Sequence, residues 1–260
     1  MNLATVIGIV GSMGLLLFSM YSGGSTLLTF IHIPSIILIV VCPYVMLFTA
    51  YTIQDVLGIF RIINFTFKVP SFNEQGIITK LMTMSEKARR EGLLALEEEL
   101  EDLDDEFMKK GMRLVVDGTD AEIIRTLMEN ELSQMQDRHI AKIGILSLWA
   151  SSAPAVGMMG TVIGLIGMLK NLEDKAALGP NMALALITTF YGSLIANFTM
   201  LPWMNKLKTY DGMETKVKEM EIEGVLSIQA GDNPRILATK LLSYLDPDTR
   251  RAVEAEVLKD

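Results

Sequence analysis

Residues 144–169 form an uncharged, largely apolar run that is long enough to cross a lipid bilayer. A helix rises about 1.5 Å per residue, so about 20 apolar residues span the hydrocarbon. Glycine recurs in this run every three or four positions, on one stripe of a helix, at Gly157, Gly160, Gly164 and Gly167. Such a stripe lets a second helix approach at backbone distance. Pro154 has no backbone N–H to donate, and it predicts a kink or a loosened turn.

The composition indicates separate membrane and aqueous parts. Half of the 260 residues are hydrophobic, while 21% are charged. The net charge of −8 argues against a nucleic-acid partner, because such proteins normally carry a basic patch. Cys42 is the only cysteine, and His32 and His139 are far apart in sequence, so neither a disulfide nor a metal cluster is predicted. We find no phosphate-binding loop, nucleophile elbow or dinucleotide fingerprint, and therefore predict neither an enzyme nor a cofactor.

Four uncharged runs predict an all-α integral membrane protein with four transmembrane helices and a helical cytoplasmic domain. The runs are 3–20, 27–50, 144–169 and 182–205. The first lacks the basic start of a signal peptide, which favours a membrane span, and its glycines (Gly8, Gly11 and Gly14) suggest packing on neighbours. The predicted segments are a transmembrane hairpin (1–50), a cytoplasmic loop domain (51–143), a second transmembrane pair (144–205) and a cytoplasmic tail (206–260).

Lysine and arginine flank the spans on the side of the large loop and the tail. By the positive-inside rule, this bias places both termini, the loop and the tail in the cytoplasm. Within the loop, apolar residues follow a 3-4 spacing that predicts one apolar stripe of a single helix: Leu93, Leu96, Leu100, Leu103, Phe107 and Leu114. Acidic residues cover the opposite faces, and periodicity alone favours a solvated face over a docking surface. A helical pattern from Ala121 onward is expected to join the third span as one long helix.

None of the four spans contains Asp, Glu, Lys or Arg. Ion paths through membranes usually need an ionisable group, so the protein is either a scaffold or works with a partner helix that supplies one. Thr161 and Thr189 support the partner, although a single threonine in a helix usually bonds to its own backbone, so helix packing and lining an ion path stay equally open. The two threonines lie about nine and seven residues from the outer ends of their spans, which places the two hydroxyls at similar depth.

Four motifs in the expected order resemble the MotA/PomA family of flagellar motor stator subunits, and the similarity covers nearly the whole chain. The motifs are Ala153–Val162 in the third span, Met182–Gly192 in the fourth, Val116-Asp117-Gly118-Thr119-Asp120, and Gly231–Arg235 followed by Lys240–Leu245. The related ExbB/TolQ energisers share the membrane core, but would not be expected to have two spans before the large loop or this Asn-Pro-Arg tail.

The resemblance implies a stator subunit of the bacterial inner membrane that turns ion flow into torque. A MotB/PomB-type partner would bring the ion-carrying aspartate, with a pentamer of this subunit around a dimer of the partner. The cytoplasmic loops would push on the rotor protein FliG. Family positions match the two coupling prolines (Pro154 and Pro202), the ion-path threonines (Thr161 and Thr189) and the rotor-contacting charges (Arg89, Arg90, Glu97 and Glu98).

The transported ion is expected to be H+ or Na+. Thr188 beside Thr189 resembles the sodium-type pattern, and an extra hydroxyl oxygen suits a hard cation. The alternatives are an ExbB/TolQ-like energiser of envelope transport and a passive membrane scaffold.

Overall fold

The computed structural model describes residues 3–24 and 26–257, and within them the chain is helical with no strands. It separates into two compact units: a first unit of residues 1–69 and 139–209, and a second unit of residues 70–138 and 210–260. Residues 51–69 belong to the first unit, although the sequence groups them with the loop. The four predicted segments describe membrane topology, and they remain a prediction.

The first unit contains the apolar helices. They are α1 (Leu3–Ser22), α2 (Ile33–Met46), α3 (Ile53–Leu57), α4 (Ile59–Thr66), most of the apolar part of α8 (Ala121–Lys170), α9 (Lys175–Leu194) and the start of α10 (Leu201–Gln229). A π-helical segment, Ile195–Met200, connects α9 to α10. Tyr44, Trp149 and neighbouring apolar side chains build the core of this unit, together with Val56 and Ile59 from the short helices α3 and α4.

Three helical stretches of the described chain have the length and composition of membrane spans: Leu3–Ser22, Ala121–Lys170 and Lys175–Gln229. The predicted second span contains a shorter apolar helix, Ile33–Thr49. It is short because Leu27–Phe30 forms a separate 3-10 turn and Pro34 lies in the first turn of α2, where proline starts a helix instead of kinking it. The count of four spans therefore stays a prediction.

The glycines of α1 contact no other part of the described chain, so the suggested packing of α1 on neighbouring helices stays a prediction. A Cβ added at Gly8, Gly11 or Gly14 would meet no described atom within 4 Å. By contrast, the expected long helix is confirmed, because α8 runs without a break for 50 residues. It begins after a turn in which Gly118 has φ +72° and the Asp120 carboxylate accepts a hydrogen bond from the Glu122 N–H.

The second unit packs shorter helices around an apolar core. They are α5 (Glu74–Glu91), α6 (Glu97–Glu101), α7 (Glu106–Val116), α11 (Pro234–Leu242) and α12 (Pro247–Val257), with parts of α8 and α10. The leucine stripe buries Leu96, Leu100 and Leu103, as its spacing suggests. The expectation of one helix is wrong, however, because the Asp105 carboxylate accepts from the N–H groups of Phe107 and Met108 and starts a new helix there.

Candidate functional site

The glycine stripe of α8 is the surface on which α9 packs. A Cβ at Gly157 would lie 3.0 Å from the carbonyl oxygen of Thr188, and one at Gly164 would lie 2.5 Å from that of Asn181. On the facing helix, a Cβ at Gly192 would lie 2.7 Å from the carbonyl oxygen of Ala153. Since real Cβ atoms do not approach so closely, the two antiparallel helices touch through their backbones. The prediction from the glycine periodicity is confirmed.

This close packing brings Thr161 and Thr189 together at the surface of the pair. Their hydroxyl oxygens are 2.5 Å apart, so one hydroxyl donates to the other. Thr161 Oγ1 also lies 3.2 Å from the carbonyl oxygen of Gly157 and 3.0 Å from that of Ala185. Two hydroxyl oxygens and two carbonyl oxygens thus converge on one spot. The prediction that the Thr161 and Thr189 hydroxyls lie at similar depth is confirmed, because they are in direct contact.

The pair is accessible from outside the chain. Thr189 is exposed and Thr161 is half-buried, while the glycines behind them are covered. Each hydroxyl has one proton to donate and keeps lone pairs that can face a cation or a donor from another molecule. Chemically, the site offers neutral oxygen ligands and no charge.

Thr188 lies apart from this pair. It is fully buried against Gly160, and its hydroxyl donates to the carbonyl oxygen of Leu184 at 2.8 Å. In this arrangement the Thr188 side chain fills the contact between α8 and α9. The sequence could not tell Thr188 from Thr189, because adjacent residues differ by about 100° around a helix and only the packing decides which one is buried.

The two prolines have different surroundings. Pro154 is half-buried inside the unbroken α8, and its backbone faces Gly192 of α9. Pro202 is exposed and follows directly after the π-helical segment and Leu201. A proline ring clashes with the carbonyl group four residues earlier, and a wider turn relieves that clash. In the sequence, only Pro202 signals the π-helical segment, and hydropathy and periodicity do not reveal it.

The charges assigned to rotor contact lie on a separate hairpin of the second unit. Arg89 and Arg90 are exposed in the last turn of α5, and Glu97 and Glu98 are exposed at the start of α6. The chain reverses between them at Gly92, whose φ of +89° favours glycine. The structure therefore brings all four residues to one hairpin.

This hairpin contains an ion pair between its two helices, which the sequence does not reveal. Lys87 Nζ donates to Glu99 Oε1 at 2.8 Å and so connects α5 with α6. The hydrogen bond to Glu99 raises the pKa of Lys87. Among five acidic residues between Glu97 and Asp102, nothing in the sequence singles out Glu99 as the partner.

The apolar helices contribute no charge near the threonine pair. The candidate spans have no Asp, Glu, Lys or Arg in their apolar runs, and the described residues contain no group of three or more His, Cys, Asp or Glu that could hold a metal ion. The apolar runs around Thr161 and Thr189 therefore offer neutral oxygens without a side-chain charge.

Known proteins resemble this chain in both sequence and fold. The sequence model of the MotA/TolQ/ExbB proton channel family matches residues 99–221. The chain is 53% identical to Motility protein A of Treponema phagedenis and 50% identical to that of Treponema pallidum, in both cases over the full length of the two proteins. It also superposes on a chain of the flagellar MotAB stator complex of Bacillus subtilis with a TM-score of 0.87 and 32% identity, covering 96% of this chain and 98% of that one.

Proposed function

Because this chain belongs to the MotA/PomA family of flagellar motor stator subunits, we propose that it works with a MotB/PomB-type partner to convert ion flow into torque for swimming. It is a membrane-embedded transducer and not an enzyme. One elementary charge that crosses 100 mV releases about 2.3 kcal/mol, which sets the scale of the free energy that each transported ion supplies.

The observation that carries the proposal is the contact between Thr161 and Thr189. Their oxygens lie 2.5 Å apart on an exposed face of two helices whose apolar runs contain no Asp, Glu, Lys or Arg. A partner helix with an aspartate would supply the missing charge, and the two hydroxyls would then be the nearest neutral oxygens to the cation. Five copies of this chain around a partner dimer would surround two such helices with identical faces.

Coupling to the rotor is assigned to the hairpin that carries Arg89, Arg90, Glu97 and Glu98, with FliG as the target. Exposed charges of both signs suit a transient contact, because complementary charge speeds association more than it tightens binding. Pro154 and Pro202 are the proposed coupling prolines, since each removes a backbone hydrogen bond from a helix that carries or adjoins the ion path.

The proposed location is the bacterial inner membrane, with both termini, residues 51–143 and residues 206–260 in the cytoplasm. Arg61 and Lys68, Arg138 and Lys142, and Lys206 and Lys208 flank the spans on that side, which supports this orientation.

The transported ion is H+ or Na+, and we favour Na+ from the Thr188-Thr189 pair in the sequence. For Thr188 to serve as a direct ligand, its fully buried side chain would have to become accessible, because it lies in the contact between α8 and α9. The stator role itself does not depend on this choice.

The first prediction tests the ion path. Thr161→Val and Thr189→Val each remove a hydroxyl without opening a large cavity, so we expect torque to be lost while the complex with the partner still forms. Swimming speed and co-purification of the partner, measured in the same strains, check this.

Thr199→Val is the matched control. The Thr199 hydroxyl donates to the Ile195 carbonyl oxygen of its own helix at 2.5 Å, so its loss should leave swimming close to wild type. Normal speed in both Thr161→Val and Thr189→Val would place the ion path elsewhere.

A further inference from the structure

The tip of the α5–α6 hairpin exposes one leucine among the four charges assigned to rotor contact. The Leu94 side chain is 74% exposed. Within the described part of the second unit, the next most exposed large apolar side chains are Ile123 at 54% and Ile236 at 52%. Single exposed leucines are common on proteins, so exposure alone decides nothing. Leu94 differs from the other exposed side chains in its position in the turn and in the charged residues around it.

The local geometry holds Leu94 outward. Residues Leu93–Leu96 form a 3-10 helix, in which side chains three positions apart align. Leu93 packs against the core of the second unit and Leu96 is fully buried, so both point inward. Leu94 then aligns with the exposed Glu97 on the opposite side of the turn. Burial of Leu93 and Leu96 prevents the turn from rotating to hide Leu94.

Charged residues precede and follow Leu94 in the sequence. Arg89 and Arg90 end α5 before the Gly92 turn, and Glu97 and Glu98 begin α6 directly after the 3-10 helix. The Lys87–Glu99 ion pair, at 2.8 Å, connects the two helices behind the tip. Arg90 lies 3.6 Å from Glu86, but both side chains are well exposed, and such pairs contribute little. The arginines therefore remain available to a partner.

We propose that Leu94 is the apolar anchor of the rotor contact, inserted into a recess of the rotor protein that acidic and basic side chains border. This inference rests on the proposed function and adds the contact that charges alone do not supply. Protein interfaces commonly centre on a few buried side chains within a polar rim. The rim charges would govern docking and orientation, and Leu94 would govern how firmly each docked hairpin transmits force.

The test compares Leu94→Ser with Leu94→Met in the complete stator complex. The probes are torque per stator unit in single motors and binding of purified FliG to the complex in nanodiscs. We expect Leu94→Ser to weaken binding about tenfold, equivalent to about 1.4 kcal/mol, and to lower torque per unit. Leu94→Met keeps the apolar volume and should stay near wild type. Ile236→Ser removes a comparably exposed side chain from the same unit and should have no effect.

Ionic strength distinguishes the contribution of Leu94 to binding from that of the surrounding charges. Salt screens exposed charges over about 10 Å at 0.1 M, so the binding defect of Arg90→Glu should shrink as salt rises, while that of Leu94→Ser should persist. Ion influx through the complex should be normal in both variants.

Two results would overturn the anchor. One is wild-type binding and torque in Leu94→Ser, and the other is an equal loss in Leu94→Met and Leu94→Ser. If Arg90→Glu still impairs torque in those cases, the proposed function stands and only the anchor fails. If neither the charge variants nor Leu94→Ser alters torque while ion influx is normal, the assigned rotor contact fails as well.

Discussion

At the scale of single residues, the most unusual group outside the apolar helices is the carboxyl of Glu221. Its side chain is fully buried in the second unit, 3.2 Å from Lys218 Nζ, which also binds Asp105 at 2.6 Å. No described residue donates a hydrogen bond to Glu221 Oε1. Removal from water outweighs the attraction of Lys218 and raises the pKa of Glu221 from 4.5 to about 7.

This shift gives the second unit a stability that depends on pH. Because the folded-state pKa lies above the unfolded value, the contribution is fully present below pH 4.5 and is lost as pH rises through about 7. The pKa of Asp105 is lowered and that of Lys218 is raised from 10.5, so both titrate outside this window. Between pH 4.5 and pH 7, this carboxyl lowers the free energy of unfolding by about 3 kcal/mol.

We therefore predict that Glu221→Gln flattens the decline of thermal stability between pH 5 and pH 7.5, and makes the complex more stable than wild type at pH 8. Thermal unfolding of the purified complex at several pH values measures this. Glu219→Gln, at an exposed neighbouring position, is the control and should follow the wild-type curve. A Glu221→Gln curve parallel to wild type would show that this carboxyl stays ionised in the fold.

The residue scale also shows where sequence patterns stop being informative. Thr161 and Thr189 could be paired from their distances to the span ends, because helices have a fixed rise. Glu221 could not be singled out, since it lies in the alternating stretch Lys218–Glu223, where every acidic residue looks solvated. Its burial depends on α7 and α10 coming together, which is information from tertiary packing.

At the scale of helices, the contact between α8 and α9 is the element that the sequence predicts best. A glycine stripe favours the close approach of a second helix, and the structure uses all four of its glycines against α9. The leucine stripe of residues 93–114 predicted the helix boundaries less well. Its 3-4 spacing continues across residues 102–105. Periodicity therefore predicts burial there, but neither the end of α6 at Glu101 nor the start of α7 after the Asp105 cap.

A matched pair of alanine substitutions tests the helix contact. A Cβ at Gly164 would lie 2.5 Å from the Asn181 carbonyl oxygen and 2.8 Å from the Ala185 Cβ, whereas one at Gly179 would meet no described atom within 4 Å. Helix propensity alone favours alanine by about 1 kcal/mol at either site.

We predict that Gly164→Ala lowers the yield and thermal stability of the complex, while Gly179→Ala is neutral or stabilising. Both quantities can be measured on complexes purified with the co-expressed partner. Equal behaviour of the two variants would mean that α8 and α9 do not meet through their backbones.

At the scale of the whole molecule, charge is partitioned. The apolar runs of the spans contain no Asp, Glu, Lys or Arg, while the second unit and the segments that flank the spans carry most of the charge. This division agrees with the proposed function, in which a second subunit supplies the charge beside the threonine oxygens and the second unit contacts the rotor. The sequence could predict this division because composition reports solvent preference directly. It could not predict that residues 51–69 pack with the apolar unit, since that depends on Val56 and Ile59 finding the core of that unit.

The most direct test of the central claim is the rotation of single motors in cells lacking the chromosomal copy of this gene. The chain and its MotB/PomB-type partner are expressed together or singly, and torque is recorded as the sodium and proton gradients are varied separately. We predict rotation only when both subunits are present, with torque that rises with the ion gradient and falls to zero when it collapses. Rotation that continues without this chain, or that is indifferent to both gradients, would contradict the account.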